Sequence, residues 1–526
     1  MSAGEVGKAH NGILFMTPKN RNIYNSLFLL IIGLTGSLFS QHISKQPYLV
    51  LPGQNSMIVR LELDKKADCV LEYGVSDKKM IYHKKGMLRG VKENHYLYEF
   101  RLENLTGRQT YYYRAVAGDE KSAIRNFTTF GGNKNIHFVA MGDSRSNPDI
   151  FKAIMTNVKN DHPDFIISMG DLVGRGGAFD EWNTYFFNIA EDVIADIPLV
   201  SALGDHEGND DNGELFRHYF LTDEPLKKQW FSFDYGDAHF AVLDYRRADS
   251  AEMINWFIDD VSKSKARWKF VYMHRPCYNF SGHQSRWGIN KWPELFRKYK
   301  IDIVFAGHSH IYERFFPIRP FDEADAWAVT YITTGGAGAG LYKETGKYKP
   351  LAAAGSINHF VDIRISGDTL ILRTIKNDAS LFDSLTITKR GNIQSKKYLA
   401  MAIDQNEVDL LSGFISAISL SLDYVPLGSS RTPGVDLLLE STVDEDIPFS
   451  IELSNESKKF YKMKAVSGIL PENEKITVHL NPLGGIKDYV CVHKWGELNP
   501  PLQVKMIYKY AGKEDTLISI PAKYWY

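Results

Sequence analysis

The chain has 526 residues, of which 44% are hydrophobic, and its formal net charge at pH 7 is −1. It is too long for one ordinary domain and suggests two to four, with enough apolar residues for packed cores. The near-neutral charge, without a long basic run, argues against a nucleic-acid-binding protein. The three cysteines, Cys69, Cys277 and Cys491, lie far apart and indicate neither a disulfide framework nor a cysteine zinc site.

Residues 1–40 have the pattern of an export signal. Two basic residues precede the apolar run 27–34, and small residues follow it up to Ser40. Because this run is shorter than the roughly 20 residues that span a bilayer, we expect cleavage after Ser40 rather than a membrane anchor. Met16 is an alternative start that gives the signal a basic region of normal length. The sequence thus predicts an exported protein, periplasmic or extracellular if the source is a bacterium, without a transmembrane helix after cleavage.

Residues 41–130 have the alternating apolar pattern of β-strands. The alternation is clear at 57–63 and 96–102, and a leucine, a turn and a run of tyrosines follow at 105–113. This arrangement suits the corner of a β-sandwich. We therefore expect an all-β domain with a structural role, either packing against the following domain or lining the mouth of its site.

Between residues 131 and 391, apolar strands alternate with helical patterns, which predicts an α/β domain. The helical patterns occupy 149–160, 180–196 and 292–300. Five apolar strands end in acidic or histidine residues: Asp143, Asp171, Asp205, His274, and His308 with His310. Open α/β sheets place ligands at the carboxyl ends of their strands, and both residue types bind metals. A single Gly-Asp turn is common at a strand end, but five such ends in this order argue against coincidence.

The order of these motifs carries a family resemblance. Two Gly-Asp pairs are followed by Gly-Asp-His-Glu, by His-x-Pro, and by Gly-His-Ser-His-Ile-Tyr-Glu-Arg at 307–314. The sequence resembles the calcineurin-like metallophosphoesterases, and within them the purple acid phosphatases, over about residues 45–390. The resemblance implies two packed β-sheets flanked by helices. It also implies that the N-terminal domain is similar to the fibronectin type III-like module of plant-type purple acid phosphatases.

The resemblance further implies a centre with two divalent or mixed-valence metal ions, of iron, manganese or zinc, that acts on a phosphate ester. The expected metal ligands are a bridging Asp171, with Asp143 and His310 on the first ion and Asp205, His274 and His308 on the second. His206, beside the ions, would stabilise the transition state and could protonate the leaving oxygen, with Glu207 orienting it. His283 matches an outer histidine that contacts substrate, although a loop histidine without a role remains an alternative.

Three positions depart from the family pattern. Arg145 stands where the broad family has a histidine ligand and Gly174 where the purple group has a tyrosine, so the first ion has one protein ligand fewer. We therefore expect a colourless protein, without obligatory ferric iron. Arg145 cannot bind a metal; it could grip a substrate phosphate, or pair with a nearby carboxylate. Asp205 replaces an asparagine and adds negative charge, so we expect Asp205→Asn to retain metal and raise activity towards monoesters.

Residues 392–526 lie beyond the resemblance. Alternation at 475–480 and 504–510, and a turn at 511–515, predict a small β-rich domain without visible chemistry. The segment 400–422 fits either a helix or a mixed connector.

Two functions remain open from the sequence. The first is an exported phosphohydrolase that cleaves phosphomonoesters or diesters by attack of a metal-bound hydroxide. The second is a non-catalytic or weakly active surface-binding protein that keeps the fold, which the missing ligand to the first ion would explain. A nuclease, a third use of this fold, lacks the basic groove that nucleic acid requires.

Overall fold

The computed structural model describes residues 42–131, 135–221, 228–323, 325–344, 346–417, 435–441, 443–480 and 502–519, with short segments at 419–422, 482–484, 490–491, 498–499 and 522–523. The predicted export signal lies outside these residues. Within them, no helix combines the length and apolar character needed to cross a membrane.

The N-terminal region consists of strands, as its alternating pattern predicts. They are β1 (Ile43–Pro52), β2 (Met57–Leu63), β3 (Cys69–Gly74), β4 (Tyr82–Lys85), β5 (Met87–Lys92), β6 (His95–Leu102), β7 (Thr110–Ala117), β8 (Glu120–Lys121) and β9 (Arg125–Thr128). Two sheets form, ordered β1-β2-β6-β5 and β4-β3-β7-β8, with β9 beside β7. Leu61, Phe100 and Tyr113 are fully buried in the core between them.

The central region contains two seven-stranded sheets. Their strands are β10 (Asn135–Met141), β11 (Phe165–Ser168), β12 (Leu199–Ser201), β13 (Phe231–Tyr235), β14 (Ala238–Val242), β15 (Trp268–Met273), β16 (Ile303–Ala306), β17 (Tyr312–Phe315), β19 (Thr330–Thr334), β20 (Leu351–Gly355), β21 (His359–Ser366), β22 (Thr369–Lys376), β23 (Leu381–Arg390) and β24 (Ile393–Gln394), with the short β18 (Ile318–Arg319) outside them. The sheet orders are β12-β11-β10-β21-β22-β23-β24 and β13-β14-β15-β16-β19-β17-β20.

Parallel pairing within each sheet brings the site-bearing strand ends together. Strands β10, β11 and β12 run parallel, as do β14, β15, β16 and β19. Phenylalanines fill the space between the sheets; the rings of Phe138 and Phe240 lie edge to face with centroids 5.2 Å apart. The carboxyl ends of both parallel sets therefore meet at one edge of the packed sheets.

Helices cover the outer faces of the sheets. They are α1 (Pro148–Asp161), α2 (Phe179–Glu181), a π-helical turn (Trp182–Phe187), α3 (Asn188–Ile194), α4 (Asp205–Asp210), α5 (Glu214–Phe220), α6 (Ala251–Lys263) and α7 (Trp292–Lys298), with a 3₁₀ turn at Tyr245–Arg247; a second 3₁₀ turn, Ser457–Lys459, belongs to the C-terminal region. The Asn147 side chain caps α1 by accepting from the Ile150 amide, and the helix buries Phe151, Ile154 and Val158 against the sheet. The three helical predictions are confirmed, with the second broken by the π turn.

The C-terminal region is β-rich, as predicted, and its segment 400–422 is mainly a helix. Helices α8 (Lys396–Leu399) and α9 (Gln405–Ala417) precede most of its strands, which are β25 (Ile403–Asp404), β26 (Ser419–Leu422), β27 (Val435–Glu440), β28 (Ile447–Leu453), β29 (Lys462–Met463), β30 (Val466–Leu470), β31 (Lys475–Leu480), β32 (Pro482–Gly484), β33 (Val490–Cys491), β34 (Leu498–Asn499), β35 (Val504–Tyr510), β36 (Lys513–Ser519) and β37 (Ala522–Lys523). The predicted hairpin joins β35 to β36.

Both terminal regions pack against the central one through buried polar contacts. Arg60 in β2 donates to the carbonyl oxygens of Tyr219 and Leu221, at 2.6 and 2.7 Å, at the end of α5. On the other side, the Tyr278 hydroxyl donates to Asp409 of α9 at 2.6 Å. The N-terminal region therefore has the packing role expected from the sequence.

Candidate metal centre

Three of the expected ligands have a left-handed backbone conformation, and each of them directly follows a glycine at the end of a strand. Asp143, Asp171 and His308 have φ values of 61°, 55° and 66°. This conformation is uncommon for non-glycine residues and costs about 1 kcal/mol or more at each position, so it persists where surrounding contacts enforce it. At Gly204 the chain passes so close to the Asp171 loop that an added Cβ would lie 2.1 Å from the Asp171 nitrogen. The strained turns bring the ligand side chains together over the sheet edge.

Asp205, His274 and His308 form a buried cluster that fits a metal ion. Their ligand atoms lie within 4.8 Å of one another. The Nδ1 atom of His308 is 2.9 Å from Oδ2 of Asp205, and Nε2 of His274 is 3.8 Å from the same oxygen. His274 donates through Nδ1 to the Met169 carbonyl at 2.8 Å, which leaves the Nε2 lone pair facing the cluster.

The Nε2 atom of His274 also faces the bridging position. It lies 3.5 Å from Oδ1 of Asp171 and, among the described residues, has no hydrogen-bond partner although it is buried. A buried imidazole nitrogen surrounded by carboxylate oxygens is well placed for a cation. The residues expected for the second ion, with Asp171 beside them, therefore fit that ion.

The residues expected for the first ion also converge, but a cation already lies among them. Nε2 of His310 is 3.6 Å from Oδ1 of Asp143. The Arg145 guanidinium donates through Nε to Oδ2 of Asp171 at 3.3 Å and through Nη2 to Nε2 of His310 at 3.2 Å. Of the two roles that the sequence allowed for Arg145, the structure therefore shows pairing with a carboxylate, that of Asp171.

Burial and neighbouring charges shift the pKa values of Asp143 and Asp171 in opposite directions. Burial, and after it the Asp171 carboxylate, raises the pKa of Asp143 well above its usual range. Burial also opposes ionisation of Asp171, but His274, His206 and Arg145 hold the pKa of Asp171 below its usual range. The crowded carboxylates favour cations at this edge.

His206 lies beside the cluster, and the carbonyl of Gly174 orients it. Its Nδ1 atom donates to that carbonyl, and its Nε2 atom is 3.8 Å from Oδ2 of Asp171. The predicted role of Glu207 in orienting His206 is wrong, because Glu207 lies in the first turn of α4 and its side chain turns back towards the strand ends. There it accepts the amides of Asp171 and Gly204, both at 3.0 Å.

Glu207 thereby stabilises the loop that carries Asp171. Its Oε1 atom accepts the amides of Leu172 and Val173 at 2.6 and 3.2 Å, in addition to the two amides bound by Oε2. Burial raises the pKa of Glu207 to about 8, with Asp171 adding to the effect. Both oxygens nevertheless accept N–H donors, an arrangement that the carboxylate form satisfies.

Aromatic and cationic side chains complete the rim. The His283 ring stacks on His308 with centroids 4.2 Å apart, and burial, followed by the His308 charge, lowers the pKa of His283 to about 4. Two contacts escaped the sequence analysis: Tyr342 stacks on His310 at 4.5 Å, and Arg275 pairs with Asp205. In the sequence, Tyr342 follows the glycine-rich run 335–340 and Arg275 is the variable residue of His-x-Pro. Neither position indicates which residue its side chain will contact.

The sequence model of the calcineurin-like phosphoesterase family matches residues 136–312, which include all six expected metal ligands. The chain is 26% identical to probable inactive purple acid phosphatase 1 of Arabidopsis thaliana, over 34% of this chain and 35% of that protein. It is 27% identical to phosphoenolpyruvate phosphatase of Allium cepa, over 46% and 57%, and 25% identical to acid phosphatase type 7 of Danio rerio, over 53% and 72%. The chain thus spans from about a third to under three quarters of these relatives.

Solved structures show the same fold at low identity. Purple acid phosphatase PPD1 from yellow lupin (Lupinus luteus) matches with a TM-score of 0.58 and 17% identity, over 73% of this chain and 77% of that one. PhoD matches with a TM-score of 0.53 and 13% identity, over 67% and 92%. Together with the motifs and the converging ligands, these matches show that the chain carries a calcineurin-like metallophosphoesterase domain with purple acid phosphatases among its relatives and structural neighbours.

Proposed function

We propose that this protein is an exported, metal-dependent phosphohydrolase that cleaves phosphomonoesters or phosphodiesters. The carrying observation is the buried Nε2 atom of His274, which lacks a hydrogen-bond partner among the described residues and faces oxygens of Asp171 and Asp205. The family and the ligand clusters suggest a metal centre with two cation positions, for which iron, manganese and zinc are candidate metals. Export is supported by the signal pattern in residues 1–40.

The chain's own residues account for binding and proton transfer. Bound metal would supply positive charge for the phosphoryl oxygens and activate water near neutral pH. Because Nδ1 of His206 donates to the Gly174 carbonyl, Nε2 is the ring nitrogen that can hold a proton for the leaving oxygen. The His206 side chain is 35% exposed, so a substrate can reach it. His283, stacked on His308 at the rim, is placed to contact the ester.

Elemental analysis and two ester assays test this proposal. We expect bound metal and turnover of p-nitrophenyl phosphate or bis-p-nitrophenyl phosphate with added manganese, zinc or iron. His206→Asn should retain metal and lose about 100-fold or more in turnover, because a general acid contributes about that factor. His83→Asn, at an exposed position in β4, is the matched control.

A non-catalytic binding protein is the second candidate. It is favoured by the Arg145 guanidinium, which lies among the ligands expected for the first ion. One relative is also named as a probable inactive phosphatase. Absence of turnover in the parent protein with every divalent metal tried would overturn the hydrolase proposal in favour of this one.

A further inference from the structure

Arg145 contacts two of the three groups that remain for the first metal ion. Its Nε and Nη2 atoms donate to Oδ2 of Asp171 and to Nε2 of His310, and its side chain is only 17% exposed. Arg145 follows Asp143 by two residues, the spacing at which the resemblance places a histidine ligand to that ion. The backbone therefore directs the guanidinium to the place where a ligand side chain would otherwise point.

We propose that the Arg145 guanidinium takes the place of the first metal ion, so that each chain binds a single divalent ion at the second position. This inference rests on the proposed function, since it concerns the same centre. The second positive charge of the centre then comes from a side chain, and the protein retains it when metal is removed.

Whether a metal ion or the guanidinium occupies the first position depends on which lone pairs of the ligands remain free. A carboxylate oxygen that accepts an N–H can still bind a metal, but an imidazole nitrogen has one lone pair. His310 donates through Nδ1 to the Gly340 carbonyl at 2.8 Å, so its single acceptor is Nε2, which Arg145 occupies. The stacked Tyr342 ring opposes rotation of His310 away from this contact.

Beside Arg145, the carboxylates of Asp143 and Asp171 are the groups left to the first ion alone, and the third group near them, His274, is shared with the second position. Oδ1 of Asp143 is the atom at this position that lacks a hydrogen-bond partner among the described residues. Gly174 offers no side chain where the purple group has its tyrosine ligand. A guanidinium stays protonated at every physiological pH and repels a second cation, so an incoming ion would have to displace it.

The second position keeps an imidazole lone pair that no donor among the described residues occupies. Nε2 of His274 accepts from no donor among the described residues, and Oδ1 of Asp205 accepts a single N–H, from Arg275. The other oxygen, Oδ2, is paired with Arg275 and lies 2.9 Å from Nδ1 of His308. The second position therefore offers a free imidazole acceptor, and the first does not. Arg145 also retains donors for substrate, because its bonds to Asp171, His310 and Ser146 use three of five N–H groups.

Metal stoichiometry tests the inference. The full chain, stripped with chelator, is titrated with Mn²⁺ by calorimetry, and bound metal is counted by elemental analysis and by electron paramagnetic resonance. We expect one ion per chain and an uncoupled Mn²⁺ signal in the parent. Arg145→His, which restores a ligand, should bind two ions and give a spin-coupled signal.

Arg145→Met removes the cation without adding a ligand, and it guards against a folding defect in the histidine variant. It should also take up a second ion, more weakly than Arg145→His. Arg247→Met, at an exposed position, is the matched control and should keep the parental count. Two tightly bound ions in the parent, or no second ion in either Arg145 variant, would overturn the inference.

The outcomes also separate this inference from the proposed function. Two ions in the parent with ester turnover would overturn the inference and leave the hydrolase intact. One ion without turnover of either ester would support the Arg145 substitution and overturn the hydrolase. A parent that binds no ion would overturn both.

Discussion

Arg275 holds the Asp205 carboxylate in a two-pronged salt bridge, with Nε 3.0 Å from Oδ1 and Nη2 2.9 Å from Oδ2. The guanidinium also lies over the Tyr245 ring, 5.3 Å from its centroid, which helps to fix its position. The negative charge that Asp205 adds, relative to the asparagine of the family pattern, is therefore balanced by the residue next to His274. The sequence-based expectation for Asp205 considered that added charge without its partner.

Removing Arg275 should expose the charge of Asp205 to the substrate. We predict that Arg275→Met lowers turnover of p-nitrophenyl phosphate roughly fivefold more than that of bis-p-nitrophenyl phosphate, equivalent to about 1 kcal/mol for a partly exposed pair. The reason is that a dianionic monoester is repelled more than a monoanionic diester. Steady-state kinetics on both esters measure the difference.

Asp205→Asn is the variant to compare with Arg275→Met. We still predict, as from the sequence, that it retains metal and raises activity towards monoesters. The double variant Asp205→Asn/Arg275→Met should return the ratio of monoester to diester turnover towards the parental value, because charge balance is restored. An equal loss on both esters in Arg275→Met would show that the arginine positions Asp205 instead of balancing its charge.

Glu207 should be required for the geometry of the Asp171 loop. Glu207→Gln replaces one carboxylate oxygen, which accepts two backbone amides, by an NH₂ group that faces them as a second donor. Losing a hydrogen bond to a charged group, or leaving a buried donor unsatisfied, costs about 1 to 3 kcal/mol. We therefore expect a loss of about 3 kcal/mol in unfolding free energy. Chemical denaturation and elemental analysis should show lower stability together with lower metal content.

Glu214→Gln, at an exposed position in α5, is the control and should change stability by less than about 0.5 kcal/mol. Parental stability and metal content in Glu207→Gln would contradict the role assigned to this carboxylate.

The strand ends were predictable from the sequence because their signal is local. An apolar run followed by Gly-Asp or Gly-His fixes where a strand stops and which residue turns over the sheet edge, as at Asp143 and Asp171. The partners of Arg145 were not predictable, since they depend on how the loop after β10 meets the loops after β11 and β16. Tyr342 and His310 likewise come from different loops, and their stacking arises only when the second sheet is assembled.

Arg60 should be a principal anchor of the N-terminal region. It is fully buried, pairs with Glu99, and donates to the carbonyl oxygens of Tyr219 and Leu221. Arg60→Met breaks the buried ion pair with Glu99 and removes one of two donors from each carbonyl, since Tyr48 also donates to Tyr219 and Arg89 to Leu221. We therefore expect a loss of roughly 3 to 5 kcal/mol in unfolding free energy. Limited proteolysis should then cut between the N-terminal and central regions earlier than in the parent.

Arg114→Met is the control, because Arg114 pairs with Glu72 within the same region but at a partly exposed site. It should cost at most about 1 kcal/mol. Equal effects of the two substitutions would argue against a docking role for Arg60.

His239 should make stability fall at alkaline pH. Burial opposes its charge, but hydrogen bonds to Asp234 and Asp260, at 2.7 and 3.0 Å, raise the pKa of His239 to about 9. The folded state thus binds this proton more tightly than the unfolded state, in which a histidine titrates near pH 6.5. The stabilisation is fully present below about pH 6.5 and is lost as pH rises through about 9.

We therefore predict that the unfolding free energy of the parent decreases by roughly 2 to 3 kcal/mol more than that of His239→Gln between pH 6.5 and pH 9.5, at about 1.4 kcal/mol per pKa unit. Urea denaturation at several pH values measures both curves. Asn255→Ala, on the exposed side of the same helix α6, should follow the parental curve. Parallel curves for the parent and His239→Gln would show that the proton on His239 is not held by the Asp234 and Asp260 pair, and the link between β13, β14 and α6 would then be an uncharged hydrogen bond.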